Sequence, residues 1–287
     1  MASRPDELSA RSSPELCSLP RREHIGGLVV AAGRQWYLTL SLLSLSWQLD
    51  RVLDHVVLVD ASQDGLPSTT RQRAGRLART LHVADAPGAD LETAMLTGLE
   101  RLAELDVEFV VHCEEDFVFL RRLDLDLLTQ LAAQADSCQA LLSRQRWYRD
   151  EFASRTFADY LERRYGTDRS TAECDDPALL RLHGLFSLNP SVYRLEQAQE
   201  LVDLAARTDR DDPFEPKLFE AAQSLGRAAV VRRHPGRPDV WHLGAVSTTR
   251  HRQLAARGDV SKAGGYMRAH LSRGRAAVMR TLRVTRW

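Results

Sequence analysis

Short apolar runs alternate along the chain with longer stretches in which apolar residues recur every three or four positions. The runs end at turn residues and are rich in β-branched residues; they are Ile25 to Ala32, His55 to Asp60, Leu81 to Val83 and Glu108 to Cys113. Runs of this kind are typical of buried strands in a parallel sheet. Helical spacing is found between them, from Trp36 to Leu49 through Trp36, Leu40, Leu43 and Trp47, from Arg71 to Thr80, and from Leu91 to Leu105.

The same alternation continues in the second half of the chain, with one interruption. Helices are predicted at Leu125 to Ala135, Glu196 to Ala206 and Phe214 to Leu225, and strands at Ala140 to Leu142 and Ala228 to Val231. The regular pattern resumes at Leu185 to Tyr193. The segment from Arg144 to Asp176 is polar and poorly periodic, so we interpret it as an irregular insertion. The pattern predicts an α/β fold, Rossmann-like, with a mostly parallel sheet flanked by helices.

Length and composition indicate a single domain with two extensions. A chain of 287 residues with 44% hydrophobic content can bury one sizeable core. We place the domain at residues 25–245, after a disordered tail at 1–24 that has no apolar segment of the kind a secretory signal needs. Residues 246–287 are predicted to form a basic helical extension, because Met267, Leu271, Val278 and Leu282 give a weakly amphipathic pattern.

Charge and cysteine content restrict the partners. The chain has 39 basic and 39 acidic residues, so no nucleic-acid partner is expected from its total charge. The C-terminal extension is locally basic, and a weak contact with an anionic surface remains open. The most apolar run, Leu38 to Leu49, is too short to span a bilayer, and the four cysteines form no C-x-x-C pair. A cytoplasmic location is the expectation.

Three consecutive carboxylates, Glu114, Glu115 and Asp116, follow the fourth apolar run directly. Ligands of parallel α/β sheets bind at the carboxyl ends of the strands, so the acids are expected at a binding edge. Adjacent carboxylates repel one another unless a cation or hydrogen-bond donors compensate. Carboxylate oxygens suit Mg²⁺ or Mn²⁺, which takes further ligands from substrate phosphates. The alternative is a solvated acidic loop that caps the next helix.

Four segments occur in the order and spacing found in the family 2-like glycosyltransferases of the GT-A fold. They are Leu28-Val-Val-Ala-Ala-Gly-Arg34, Val57-Leu-Val-Asp-Ala-Ser62, Glu92-Thr-Ala-Met-Leu-Thr-Gly98 and Phe109-Val-Val-His-Cys-Glu-Glu-Asp-Phe117. The chain resembles that family from about Ile25 to Gly244. The resemblance implies a metal-dependent enzyme that moves a sugar from a nucleoside-diphosphate-sugar donor to a hydroxyl of a glycan, protein or small molecule.

The resemblance also implies roles for individual residues. Ala32 and Arg34 are expected at the wall of the nucleotide pocket, and Asp60 at the nucleoside. Asp116, with Glu114 or Glu115, is expected to bind the metal and the nucleotide sugar. The first loop departs from the family's usual Pro-Thr-x-Asn, and two glutamates replace aspartates, so the base stays open. The alternative for Asp60 is a structural role, in which its side chain stabilises the turn after the strand or caps the next helix.

Three residues late in the chain complete the predicted site. His242 resembles the histidine that joins the metal site or contacts the diphosphate in several GT-A enzymes; the alternative is a packed core histidine. Glu215, with Asp212 as second choice, resembles the carboxylate that removes the acceptor proton. Both could instead merely complement the positive end of the following helix.

Two other functions remain as alternatives. A sugar-phosphate nucleotidyltransferase also uses a Rossmann-like sheet and carboxylate-bound Mg²⁺, but it needs a glycine-rich basic loop after the first strand. The loop Ala31-Ala-Gly-Arg34 does not match that pattern. A non-catalytic module with the same fold would bind a glycan or a partner without releasing a nucleoside diphosphate. The donor sugar, the acceptor and the stereochemical outcome are left open.

Overall fold

A computed structural model describes residues 24–134, 136–145, 153–154, 156–165, 179–208, 213–232 and 238–243. The strands are β1 (Ile25–Ala31), β2 (Leu53–Asp60), β3 (Ala78–Asp85), β4 (Phe109–Glu114), β5 (Phe117–Phe119), β6 (Ser137–Leu141), β7 (Leu179–His183), β8 (Ser191–Arg194), β9 (Ala228–Arg232) and β10 (Val240–His242). The helices are α1 (Gln35–Gln48), α2 (Ser68–Ala74), α3 (Leu91–Ala103), α4 (Leu125–Ala132), α5 (Phe157–Tyr165), α6 (Leu195–Ala206) and α7 (Phe214–Ser224).

Eight of these strands form one mixed, mostly parallel sheet in the order β3-β2-β1-β4-β8-β6-β9-β7. Strands β8 and β7 run antiparallel to their neighbours, and the other six point in one direction. The six therefore end at one edge of the sheet. A short antiparallel pair, β5 and β10, lies outside the main sheet.

Helices cover both faces of the sheet, which explains why the central strands carry continuous apolar runs. All seven residues of β1 are buried. Helices α1 and α4 pack with alternate strand residues on one face, and α3, α6 and α7 pack on the other. The predicted α/β class, with a mostly parallel sheet flanked by helices, is confirmed.

One predicted boundary is wrong in a way that the pairing explains. The helix predicted from Arg71 to Thr80 ends at Ala74, and β3 begins at Ala78 instead of Leu81. Strand β3 pairs with β2 along almost the full length of β2, from Leu53 opposite Ala78 to Asp60 opposite Asp85. The sheet thus imposes an extended conformation on a segment whose local sequence also suits a helix.

The irregular insertion predicted from Arg144 to Asp176 contains α5, so that interpretation is wrong in part. Phe157, Tyr160 and Leu161 are buried in a third core cluster with β7 and β9. Their spacing is helical, but the segment is too short and polar for the pattern to stand out. The strands β5 and β7 were also not predicted.

The two predicted extensions fall largely on residues that are not described. Of the predicted tail at 1–24, only His24 is described, and its carbonyl accepts hydrogen bonds from the backbone N–H groups of Glu108 and Phe109 at 2.9 and 3.2 Å. The basic extension at 246–287 lies outside the described residues. Among the helices that are described, none has the length and apolar character needed to cross a bilayer.

Replacement of Gly27 by alanine tests the packing of β1 against β2. A Cβ atom at Gly27 would lie 2.9 Å from Leu53 Cδ1 and 2.9 Å from Val56 Cγ2, both on fully buried side chains. Val56 is β-branched and rotates poorly, so Gly27→Ala should lower the free energy of unfolding by about 1–3 kcal/mol. Urea denaturation followed by circular dichroism measures the change.

Gly75→Ala is the matched control. Gly75 has a φ of −62°, which any residue adopts, so this change should be neutral or stabilise the protein by up to about 1 kcal/mol. Equal denaturation midpoints for Gly27→Ala and the unmodified protein would contradict the packing described for β1.

Candidate functional site

A cleft of about 610 Å³ lies at the carboxyl edge of the sheet. Its lining comes from segments that are far apart in the sequence. Charged or polar members are Asp90, Glu92, Glu114, Arg144, Asn189, Glu215, Lys217 and His242, and apolar members include Phe117, Leu188 and Phe214. This is the edge at which ligands of parallel α/β sheets bind.

Glu115 connects the end of β4 to the loop between β1 and α1. Its side chain is buried, with 1% of the residue exposed. Oε2 accepts hydrogen bonds from the backbone N–H groups of Ala32 and Arg34 at 2.8 and 3.1 Å. Oε1 accepts from Nε of Arg34. Glu115 therefore fixes the loop between β1 and α1 through buried hydrogen bonds, and it is not among the residues that line the cleft.

Asp116 is buried beside Glu115 and carries a single strong ion pair with the same arginine. Its Oδ2 lies 2.9 Å from Arg34 Nη2 and 3.2 Å from His242 Nε2. Burial raises the pKa of the Asp116 carboxyl, but the hydrogen bond and charge of His242 and the charge of Arg34 outweigh it, so the pKa is lowered. Asp116 is thus an anion, and its Oδ1 has no hydrogen-bond partner among the described residues.

His242 is held in position on three sides. Its ring stacks on Phe117, with centroids 4.5 Å apart and planes 12° apart. Its backbone N–H donates to Gln145 Oε1 at 2.8 Å, and its carbonyl accepts from Gln145 Nε2 at 2.9 Å. The histidine lines the cleft and contacts Asp116, and it is also packed against Phe117, so its role toward a metal stays a prediction.

Glu114 is the member of the acidic cluster that faces the cleft. Burial, together with the negative charges of Asp116 and Glu215, raises the pKa of the Glu114 carboxyl well above its usual value. The charge of Arg34 opposes this increase only in part. Arg34 pairs directly with Glu115 and Asp116. Electrostatic repulsion among the three carboxylates is therefore least compensated at Glu114.

Glu215 belongs to a chain of hydrogen bonds along the wall of the cleft. Arg144 Nε donates to Asn189 Oδ1 at 3.0 Å, and Asn189 donates to Ser187 Oγ through its backbone and side-chain N–H groups. Since both donors point at Ser187 Oγ, its own proton is directed to Glu215 Oε1 at 3.2 Å. Glu215 is also in the first turn of α7, as the alternative reading of this residue required.

Buried Gln139 fixes the segment that carries this chain of hydrogen bonds. Its Oε1 accepts from the backbone N–H of Ser187 at 3.0 Å, and its Nε2 donates to the Ser187 carbonyl at 2.6 Å. Gln139, Gln145 and Ser187 were not predicted as site residues. The contacts of Gln139 with Ser187, of Gln145 with His242 and of Ser187 with Glu215 span 28 to 97 positions in sequence, and no local pattern marks them.

Asp60 lies at the same edge of the sheet, but its hydrogen bonds are within its own loop. Oδ1 accepts from the backbone N–H and the hydroxyl of Ser62, and Oδ2 accepts from the Leu66 N–H at 2.7 Å. Arg71 Nη2 is 3.7 Å from Oδ2. Asp60 thus has the turn-forming role considered as an alternative, and its contact with a nucleoside stays a prediction. Asp212 lies outside the described residues.

The residues predicted to bind a metal form an incomplete ligand set. In the described part of the chain, no group of three or more histidine, cysteine, aspartate or glutamate side chains is arranged to hold an ion. Asp116 Oδ1 nevertheless has no hydrogen-bond partner among the described residues. His242 and Glu114, which line the cleft, supply a ring nitrogen and carboxylate oxygens that could also bind a metal ion. One or two carboxylates completed by phosphate oxygens and water are the usual environment of Mg²⁺, so the residues fit such an ion.

Comparison with known proteins adds no family assignment. No protein-family model matches the chain, and no curated protein matches it at a significant level. The function therefore has to be inferred from the residues of the chain itself.

Replacement of Glu114 by glutamine tests the repulsion at the cleft. A carboxyl whose pKa is higher in the folded state than in the unfolded chain stabilises the fold when protonated. That contribution is complete below about pH 4.5 and is lost as the pH rises through the raised pKa. Glutamine resembles the protonated form, so Glu114→Gln should melt at a higher temperature than the unmodified protein at pH 8, and the difference should shrink toward pH 4.5.

Differential scanning fluorimetry in EDTA measures the two melting curves across this range. Glu100→Gln is the control, because Glu100 lies on the exposed side of α3. A melting temperature for Glu114→Gln that is unchanged or lower at pH 8 would show that the carboxylate is compensated in a way the described contacts do not include.

Proposed function

We propose that the chain is a metal-dependent glycosyltransferase of the GT-A type, which moves a sugar from a nucleoside-diphosphate-sugar donor to an acceptor hydroxyl. The observation that carries this proposal is the convergence of Glu114, Glu215 and His242 on one cleft, with Asp116 directly behind His242. These residues are the ones that the family resemblance assigns to metal binding and proton removal.

The first loop supports the placement of the donor nucleotide. Ala32 and Arg34 follow the last residue of β1 and are exposed at the carboxyl edge, whereas Ala31 is buried. Their backbone conformation is fixed by Glu115, so the loop presents a preformed surface. A preformed wall of this kind lowers the entropic cost of ligand binding.

Asp116, Glu114 and His242 are the residues that would hold the divalent cation. When bound, the cation would neutralise charge on the departing diphosphate as a Lewis acid. Arg34 pairs with Asp116 and Glu115, whereas Glu114 has no such ion pair among the described residues, and its raised pKa reflects the cost of placing a further negative charge at the cleft. A bound dication would offset that cost and favour the ionised carboxylate.

Glu215 is proposed to act as the base toward the acceptor. The acceptor oxygen attacks the anomeric carbon, the bond from that carbon to the diphosphate oxygen breaks, and the hydroxyl proton passes to the Glu215 carboxylate. The Ser187 hydroxyl donates to Oε1 and so orients the carboxylate. A base on the acceptor side favours inversion at the anomeric carbon. Among the GT-A enzymes that the chain resembles, a metal-bound histidine recurs in retaining enzymes, so the anomeric configuration of the product distinguishes the two outcomes.

The nucleotidyltransferase alternative has weaker support from the same loop. Such an enzyme needs a basic residue after the first strand to bind the triphosphate. The basic residue at this position, Arg34, is in ion pairs with Glu115 and Asp116. The non-catalytic alternative is separated from the enzyme by experiment.

Nucleotide binding in the presence of Mn²⁺ tests the donor and metal assignments together. Thermal-shift screening of nucleoside diphosphates should identify one that raises the melting temperature only when Mn²⁺ is present, since a ligand of the folded state stabilises it. At 100 times its dissociation constant the gain is about 2.7 kcal/mol. Asp116→Asn should abolish the dependence on the metal.

Asp126→Asn serves as the control, because Asp126 is exposed on α4 outside the cleft. A shift that needs no metal and survives in Asp116→Asn would refute the metal assignment. If no nucleoside diphosphate binds with or without Mn²⁺, the glycosyltransferase proposal itself is wrong.

Replacement of Glu215 by glutamine tests the proposed base. With the nucleotide sugar that the binding screen identifies, Glu215→Gln should lower the rate of sugar transfer about 10²- to 10⁴-fold. The thermal shift with nucleoside diphosphate and Mn²⁺ should be retained, because Glu215 is not proposed to bind either. Release of nucleoside diphosphate, measured in a coupled assay, gives the rate.

Glu220→Gln is the matched control on the exposed side of the same helix. If Glu215→Gln leaves the rate of sugar transfer unchanged, Glu215 is not the base. Its role would then be limited to the N-terminal turn of α7, and another residue would have to accept the proton.

A further inference from the structure

Helix α1 exposes a stripe of large apolar side chains to solvent. Trp36 is 65% exposed and Trp47 is 40% exposed, and Leu40 and Leu43 between them are half-buried. At 100° per residue these four positions fall within an arc of roughly 60°. Val52, just after the helix, is 56% exposed. These four helix positions are called the α1 stripe.

The α1 stripe is not the face by which the helix joins the core. The buried residues are Leu38, Ser41, Leu42, Ser44, Leu45 and Gln48, which lie on the opposite side of the helix. On that side, Ser44 Oγ accepts from the Phe119 N–H at 3.0 Å, and Ser41 Oγ lies 3.0 Å from Cys113 Sγ. The helix is thus attached to the core through a face that mixes leucine with serine, and it presents a second apolar face to water, where an ordinary surface helix carries polar residues.

No charge interrupts this exposed surface. Gln35–Gln48 contains no aspartate, glutamate, lysine, arginine or histidine. The cations at the two ends, Arg34 and Arg51, are in ion pairs with Glu115, Asp116 and Asp126. A partner that covers the stripe buries no charge, whereas an anionic bilayer finds no unpaired cation on this helix or at its ends to attract it.

The spacing of the stripe has a symmetry that selects the partner. The intervals Trp36 to Leu40, Leu40 to Leu43 and Leu43 to Trp47 are four, three and four residues, so the stripe reads the same in both directions. In two antiparallel copies of the helix, each tryptophan therefore faces the other tryptophan of the second copy, and each leucine faces the other leucine. This is the self-complementary pairing that a twofold axis requires.

We propose that the α1 stripe is a homodimer interface, in which α1 packs antiparallel against α1 of a second copy of this chain about a twofold axis between Leu40 and Leu43. The two tryptophans offer roughly 200–250 Å² of exposed surface in each copy. With the leucines and Val52 the contact reaches roughly 400 Å² for each copy, which is small for a stable complex. The dimer is therefore weak and reversible.

Sedimentation of the full-length protein over a range of concentrations tests the association. The weight-average mass of the unmodified protein should rise from monomer toward dimer with concentration. The double variant with Trp36→Glu and Trp47→Glu should stay monomeric, because dimerisation would bury four carboxylates. Leu204→Glu makes the same kind of change at an exposed apolar residue of α6, and it should associate like the unmodified protein.

Cross-linking tests the antiparallel arrangement. In a background with Cys17→Ser and Cys174→Ser, proteins carrying Trp36→Cys and Trp47→Cys are mixed with a short thiol-specific cross-linker. Cross-linked dimers should form in the mixture and not with Trp36→Cys alone, because two copies of residue 36 are separated by the rise of eleven residues, about 16 Å. The remaining cysteines described, Cys113 and Cys138, are buried.

Several outcomes would overturn the proposal. They are a protein that is monomeric at every concentration, association of the double variant equal to that of the unmodified protein, or preferential cross-linking of Trp36→Cys to itself. A monomer that binds phosphatidylcholine vesicles, with binding lost in the double variant, would assign the stripe to a membrane surface instead. Circular dichroism and melting temperature of each variant establish that it is folded.

Discussion

The buried carboxylate of Glu115 and the guanidinium of Arg34 join the end of β4 to the loop after β1, and the site is built around this pair. A buried carboxylate costs several kcal/mol unless donors surround it. Here two backbone N–H groups and the guanidinium supply the compensation. Arg34 also pairs with Asp116, so one cation is shared between two of the three adjacent acids. Glu114 remains as the acid that is free to face the cleft.

This distribution answers the question of why three carboxylates can be adjacent at all. The protein does not treat them alike: Glu115 is a structural anchor, Asp116 is a buried anion shared between Arg34 and His242, and Glu114 keeps a raised pKa at the surface of the cleft. A sequence of three acids suggests one shared role. The fold instead separates Glu114, the last residue of β4, from Glu115 and Asp116, which lie in the turn that follows and both pair with Arg34.

The sequence was sufficient for the parts of the fold that depend on local pattern. The strands β1, β2 and β4 carry apolar runs because helices cover both faces, and α3 has a clear helical period. Predictions failed where pairing overrides local preference, as in β3, and where a short element packs on a polar stretch, as in α5. In the site, acids at a strand end were recognisable, but Gln139, Gln145 and Ser187 act through contacts that depend on the folded chain. The α1 stripe shows a further limit, since its period predicts a helix but not which face is buried.

The way in which the first loop is anchored has a consequence for protein engineering. Glu115 Oε2 accepts hydrogen bonds from the backbone N–H groups of positions 32 and 34, and this anchoring does not depend on the side chain of Ala32. Any amino acid except proline can supply the N–H at position 32, so a randomised codon there should change the exposed side chain beside the proposed nucleotide site without loosening the loop. Position 34 does not share this freedom, because its side chain also carries the counter-charge. A library aimed at new ligand preference would therefore diversify residue 32 and keep arginine at residue 34.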